Sequence, residues 1–192
     1  MVRKSADLFS FSAAPQLVRI NNMFGRSKFS SASYLRNFIF GVEDSLVSTV
    51  GLLSGVAITG AETRAIFVTG IILIFVEAFS MAAGSFLSEH SAEEFAQKTE
   101  MPFRGSFFLG SVMFVSYFFA GFVPLLPYVF FSINFAFWYS IGFSLLALLL
   151  LGVFSAKISK INFIKGGARM LVIGGIAIAV GILVGRVATG LY

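Results

Sequence analysis

No cysteine occurs in the chain, which excludes disulfides, thiolate metal sites and cysteine nucleophiles. A single histidine, His90, cannot furnish the repeated E-x-x-H ligand sets of an intramembrane di-iron enzyme. One aspartate, Asp44, falls within a long apolar stretch, so the paired aspartates of an intramembrane aspartic protease are missing, as is a base to activate a serine. A catalytic reading therefore has little to stand on, and the expectation is that the protein is not an enzyme. Charge is also scarce: 12% of residues carry it, where an ordinary soluble domain has about a quarter. Any metal chemistry must rest on the acidic residues.

What is present is hydrocarbon. Hydrophobic residues make up 57% of the chain and the mean hydropathy is +0.91, which together read as an integral membrane protein. Five apolar stretches are each long enough for a helix to cross about 30 Å of bilayer core, near Phe38 to Ile58, Ala65 to Leu87, Ser106 to Tyr128, Phe135 to Phe154 and Ala168 to Ala188. The expected fold is an all-α, multi-pass membrane protein of five transmembrane helices. Arg3, Lys4, Arg19, Arg26, Lys28, Arg36, Lys98, Arg104, Lys157, Lys160, Lys165 and Arg169 fall on one side, and only Arg64 and Arg186 on the other. The positive-inside rule then predicts a cytoplasmic N-terminus and a C-terminus outside or in a lumen. The net charge of +5 is accounted for by this asymmetry and by anionic lipid headgroups, so the bilayer, rather than a nucleic acid, is the expected partner.

Residues 1–36 are basic and Ser-rich, with Asp7 as their one acid, and carry no uninterrupted apolar core before a small-residue cleavage site. They read as a cytoplasmic arm whose QLVRINNMF portion lies on the membrane surface, the alternative being an organelle transit peptide, which the Arg and Ser bias resembles; a five-helix membrane domain follows over 37–190. An acidic linker, 88–104, joins spans two and three.

Against this apolar background the segment GVEDSLVSTVGLLSGV, residues 41–56, places Glu43 and Asp44 inside the first span, and Glu77 lies inside the second. An acidic side chain near a bilayer centre costs about 2.5 to 3.5 kcal/mol, less near the boundary, so three in two spans argue for a purpose other than packing. Measured from the cytoplasmic ends at 1.5 Å per residue, Asp44 and Met81 lie about 9 Å deep and Glu77 and Ser48 about 15 Å deep. Glu77 and Met81 share one face of helix two, and Asp44 and Ser48 one face of helix one, through their four-residue spacing. Neighbouring helices would thus line one cavity with oxygen and sulfur. The plainer alternatives are that Glu43 simply reaches water, that Glu77 is a neutral hydrogen-bonding group, with Ser48 as one partner, and that Met81 is packing.

These residues resemble a known family. FGVEDSLVSTVGLLSGV is similar to the first-helix pattern G-x-x-D-G-L-V-T-x-x-x-L-x-x-G of the vacuolar iron transporter family, and VEAFSMAAGSFLSEHS to its second-helix pattern E-A-x-S-M-x-x-G-E-Y-x-S. AGFVPLLPYVF and SAKISKINFIKGGARMLVIGGIAIAVGILVGR are similar to its third span and its last two, so the resemblance covers residues 36–190 or so. It implies a homodimeric five-helix antiporter that exports Fe2+, and also Mn2+, from the cytoplasm in exchange for protons, across a bacterial plasma membrane or the membrane of an acidic organelle. No permanently bound cofactor is implied; the metal is substrate. By carry-over, Asp44 and Met81 line the path, with Glu77 as metal or proton ligand and Glu43 beside them. Carboxylate oxygen suits Fe2+ and Mn2+, and a thioether disfavours Mg2+ and Ca2+. Ser45 stands where the pattern has Gly, and Ser85 where it has Glu, removing one acidic ligand.

The long metal-collecting cytoplasmic domain of many family members is absent; EHSAEEFAQKTEMPFRG alone separates spans two and three. Glu89 with Glu93, and His90 with Glu94, are i,i+4 pairs that would hold a metal on a helical extension of span two, or else form a solvated acidic face on which His90 is a surface residue. The G51LLSG55 and G181ILVG185 spacings read either as dimer contacts or as packing within one protomer. Pro124 and Pro127 read as a span terminus or as a hinge, and Tyr128, Trp138 and Tyr139 as residues of the outer interface. The rival class is a membrane-bound metal sensor or scaffold that binds without transporting. Flux into sealed vesicles separates the two.

Overall fold

The computed structural model describes residues 31–190, all of them in helices or short connections. Six helices follow one another: α1 (Ser31–Ile58), α2 (Thr63–Gln97), α3 (Arg104–Leu125), the single turn α4 (Pro127–Phe130), α5 (Ile133–Ile158) and α6 (Phe163–Gly190). Five stretches are long and apolar enough to cross a membrane, with α3 and α4 together forming the third, Arg104–Phe130. Each overhangs the span read from hydropathy, because a helix keeps its backbone hydrogen bonds after it leaves hydrocarbon and has no reason to stop at the boundary. Thus α1 begins at Ser31, within the segment expected to be an arm, and α2 continues unbroken past Leu87 to Gln97. The rest of that arm, QLVRINNMF included, lies outside the described residues.

The connections follow local rules. Gly60 takes the left-handed φ of +80° that the turn after α1 needs. Lys98 ends α2 in the left-handed region, with its N–H donating to the Glu94 carbonyl at 2.7 Å. Asn162 precedes α6 and accepts from the Ile164 N–H through Oδ1 at 2.9 Å, a side-chain N-cap.

Helix α1 is the hub. It touches α2, α3, α5 and α6, and its closest partnerships are with α3 and α6. Lipid tails are as apolar as leucine, so helix association here relies on close packing rather than on the hydrophobic effect. Small residues make that packing possible. A Cβ on Gly55 would stand 2.6 Å from the Gly181 carbonyl oxygen, and methyl groups on Gly181 and Gly185 would strike the carbonyl oxygens of Gly51 and Gly55. The two small-xxx-small motifs therefore meet each other, α1 against α6, inside one chain. On the α3 side, Gly121 leaves room for the Ser45 hydroxyl, whose oxygen stands 3.0 Å from where its Cβ would be.

One core cluster gathers Leu53, Ile66, Ile74, Leu125, Tyr128 and Ala136, and a second Leu46, Ala120, Leu148 and Met170. Tyr128 corrects an expectation: it is 2% exposed and packs in the first cluster, not at an interface. Leu126 keeps α-helical backbone between α3 and α4, so Tyr128 continues the buried face of α3, three and four residues on from Leu125 and Pro124. The Pro124 carbonyl accepts from the Ser140 hydroxyl at 2.7 Å, so it is satisfied by α5. Trp138 and Tyr139 are exposed on the surface of the bundle.

The seam between α1 and α6 makes a paired prediction. Gly55→Ala should lower stability by about 1 to 3 kcal/mol, because the methyl meets backbone that cannot step aside. Gly175→Ala, with nothing within 4 Å of its Cβ position, should be neutral or stabilising by up to about 1 kcal/mol through helix propensity. Reversible unfolding of the two variants in mixed micelles checks both.

Candidate functional site

The candidate site is built on Asp44 of α1 and Glu77 of α2. Glu77 lies close enough to Asp44 for their like charges to repel, and both act electrostatically on the hydroxyl of Tyr117 from α3. Tyr117 is fully buried, and its Oη lies 2.7 Å from Ser48 Oγ, one turn along α1 from Asp44. The partner of Ser48 is thus Tyr117, where a bond to Glu77 was the alternative from sequence. Ser45 donates from Oγ to the Tyr117 carbonyl at 2.6 Å. Two hydroxyl contacts from consecutive turns of α1 therefore hold Tyr117, and with it the level at which Asp44 and Glu77 meet. The serine at position 45, where the family pattern has glycine, is used to bond α3.

Glu43, although adjacent to Asp44, faces a different company. It lies between the positive field of Arg169 on α6 and the negative field of Asp44. Neighbouring helix positions point about 100° apart, which is why one of the two acids looks toward α2 and α3 and the other toward α6. Among the described residues no three of His, Cys, Asp and Glu cluster closely enough to hold a metal ion. Any cation at this level would be held by Asp44 and Glu77 together with neutral oxygen or sulfur.

Sulfur lies toward the end of the bundle that carries Arg36 and Glu89. A cavity of about 630 Å³ between α1, α2 and α3 is lined by Met81, one turn from Glu77, and also by Met113, Asn37, Ser85 and Glu89. An ion pair of 3.3 Å between Arg36 and Glu89 joins α1 to α2 at its rim. Met113, Asn37 and Tyr117 are the residues that sequence reasoning passed over. The four-residue step from Met113 to Tyr117 on α3 was visible, but an uncharged face carries no signal of what it meets.

The acidic extension of α2 is not one patch. Glu89 turns to Arg36, Glu93 accepts from Ser106 Oγ at 3.2 Å, and Glu94 pairs with His90, Oε1 to Nε2, at 3.3 Å. His90 corrects a second expectation. It is 9% exposed and stacks on Phe103, with ring centroids 4.7 Å apart, and on Phe86 at 5.8 Å. The turn leading into α3 folds Phe103 back over the last turns of α2, and the imidazole is the flat surface it finds.

Five membrane-crossing helices define a multi-pass membrane protein, in which Asp44 and Glu77 lie within electrostatic reach of each other and a cavity lined by Met81 begins one turn from Glu77. The particular family follows from comparison: the model of the VIT family matches residues 35–104 and 105–186, and the chain belongs to that family. It is 42% identical over 57 residues to Vacuolar iron transporter homolog 5 of Oryza sativa subsp. japonica; the match takes in 30% of this chain and spans 27% of that relative.

The Ser48–Tyr117 contact is measurable. A double-mutant cycle of Ser48→Ala and Tyr117→Phe should give a coupling of about 0.6 to 1.5 kcal/mol in unfolding experiments. A coupling indistinguishable from zero would remove the hydrogen bond as an organiser of the site.

Proposed function

We propose that this protein is a homodimeric transporter that moves Fe2+, with Mn2+ as a second substrate, out of the cytoplasm in exchange for protons. The observation that carries the reading is the meeting of Asp44 and Glu77 at the Tyr117 hydroxyl, one turn from the cavity lined by Met81. Membership of the VIT family and the printed name of the rice relative support a metal ion as the transported species. The N-terminal side faces the cytoplasm in this reading, as the distribution of lysine and arginine indicates.

A metal arriving through the cavity passes the Glu89 carboxylate at its rim and the thioether sulfur of Met81 before it reaches Asp44 and Glu77. Sulfur favours Fe2+ over Mg2+ and Ca2+, and the paired carboxylates offset the dication's charge where hydrocarbon would otherwise reject it. Glu77 serves as the exchange group. A carboxylate away from bulk water is neutralised either by a proton or by a bound cation, so the two exclude one another at a single site. Metal entering displaces the proton; after its release, reprotonation from the more acidic compartment resets the group. Glu43, drawn toward Arg169, takes the outer part of the acidic path, and the divided acids of the α2 extension concentrate cations near its mouth.

Purified protein in liposomes, with Fe2+ and Mn2+ flux measured under and without a pH gradient, tests the reading. Wild type should show gradient-driven flux; a sensor or scaffold would bind metal and show none. Asp44→Ala should reduce flux to background. Met81→Leu, which keeps volume, should lower it about tenfold and blunt discrimination against Mg2+. Glu77→Gln should transport without response to the pH gradient, since Gln keeps shape and hydrogen bonding but cannot titrate. Flux in Glu77→Gln that remains as strongly driven by the gradient as in wild type would move the proton to Asp44 or Glu43.

A further inference from the structure

The cavity between α1, α2 and α3 contains donors that the transport reading leaves unused. Asn37 lines it, is 6% exposed, and its Nδ2 has no hydrogen-bond partner. Nearly all buried amides in folded proteins are paired, so this one calls for a reason. No hydrogen bond fixes the amide, so a half-turn about its last torsion exchanges its nitrogen and its oxygen freely. Across the cavity Met113 is 2% exposed, and its sulfur stands 3.1 Å from the position a Cβ would take on Gly41, one turn along α1 from Asn37. The bare Gly41 thus lets a thioether from α3 lie against the same stretch of α1. Met81 supplies a second sulfur from α2, and Glu89 a carboxylate covered by Arg36.

We propose that this cavity is a binding station for one soft or borderline transition-metal cation, held by the sulfurs of Met81 and Met113 and the amide oxygen of Asn37, with Glu89 as an exchangeable fourth donor guarded by Arg36. The station deepens the transport reading and rests on it for its place ahead of Asp44 and Glu77. Two thioethers and a neutral oxygen replace little of the hydration that Mg2+ or Ca2+ would lose, whereas Fe2+ or Co2+ gains bonds to sulfur. A dication at Glu89 displaces the guanidinium, since it carries twice the charge to the same carboxylate. Arg36 remains tethered at the rim, where its charge opposes a second cation. Occupancy is therefore single, and passage inward empties the station before it refills.

The bland account is that both methionines are packing and Asn37 is a tolerated orphan. Calorimetric titration of Co2+ into the full chain in lipid nanodiscs, in the Asp44→Ala background so that the deeper site is silent, separates the two. The expected result is one Co2+ per chain, retained in excess Mg2+. Met113→Leu and Asn37→Leu should each weaken Co2+ binding about tenfold, equivalent to about 1.4 kcal/mol. Arg36→Gln should tighten it by removing the competing cation, a gain that a damaged fold cannot mimic. Unchanged Co2+ affinity in all three variants overturns the station, and so does a loss in the first two that comes with a lowered melting temperature and no tightening in Arg36→Gln. If wild-type liposomes show no flux while the titrations behave as described, the transport reading fails and the station stands. If flux follows Asp44 while the titrations show no effect, the station fails and transport stands.

Discussion

A carboxylate in hydrocarbon has to be kept from the lipid, and the placement of α1 follows from that constraint. Glu43 and Asp44 point in different directions, so no single neighbouring helix could shield both. Only a helix touched on most of its sides can carry them, and α1 touches every other membrane-crossing helix. Its sequence permits this because Gly41, Ser45, Gly51 and Gly55 are small where α3 and α6 approach. Larger side chains there would separate the helices and open the acids to lipid. The helix that carries the two acids is thus also the one on which the bundle is assembled.

Hydrogen bonds refine what the small residues allow. Ser45 and Ser48, separated by one turn, both reach Tyr117, one at its carbonyl and the other at its hydroxyl. Bonds of this kind between membrane helices contribute modestly, about 0.6 kcal/mol on average. Their value here is positional: they set the rotation of α3 against α1, and with it the side on which Tyr117 and Met113 stand. Helix α2 is brought to the same level by α3, against which it packs closely, and by the Arg36–Glu89 ion pair at the rim. That pair is largely exposed on the arginine side and is a weak fastening.

Where reading the sequence went astray, the cause was a neighbour. Tyrosine close to a span end usually sits at an interface, but Tyr128 continues the buried face of α3 and packs in the core against other helices. His90 was placed on a surface because it is solitary and flanked by acids; Phe103, thirteen residues away in sequence and beyond a turn, covers it. The acidic extension of α2 reads as two i,i+4 pairs or as a solvated face; Glu94 does meet His90, while Glu89 is drawn to Arg36 and Glu93 to Ser106. In each case residue type predicted an average environment, and a contact distant in sequence supplied the actual one.

By itself the sequence determined the number of membrane-crossing helices and their approximate positions, because hydropathy depends on one segment at a time. It also determined the family, since the spacing around Asp44 and around Glu77 and Met81 lies within single helices. What it left open were the relations between helices. Whether the glycine motifs of α1 and α6 meet within one chain, which way Glu43 looks, and which residues of α3 face Asp44 and Glu77 were decided by the tertiary structure alone. The physical reason is that in a bilayer every apolar face is equally content against lipid or protein, so amphipathic periodicity no longer tells inside from outside. Close approach of backbones and the pairing of a few polar groups make that choice, and both become visible only when the helices are side by side.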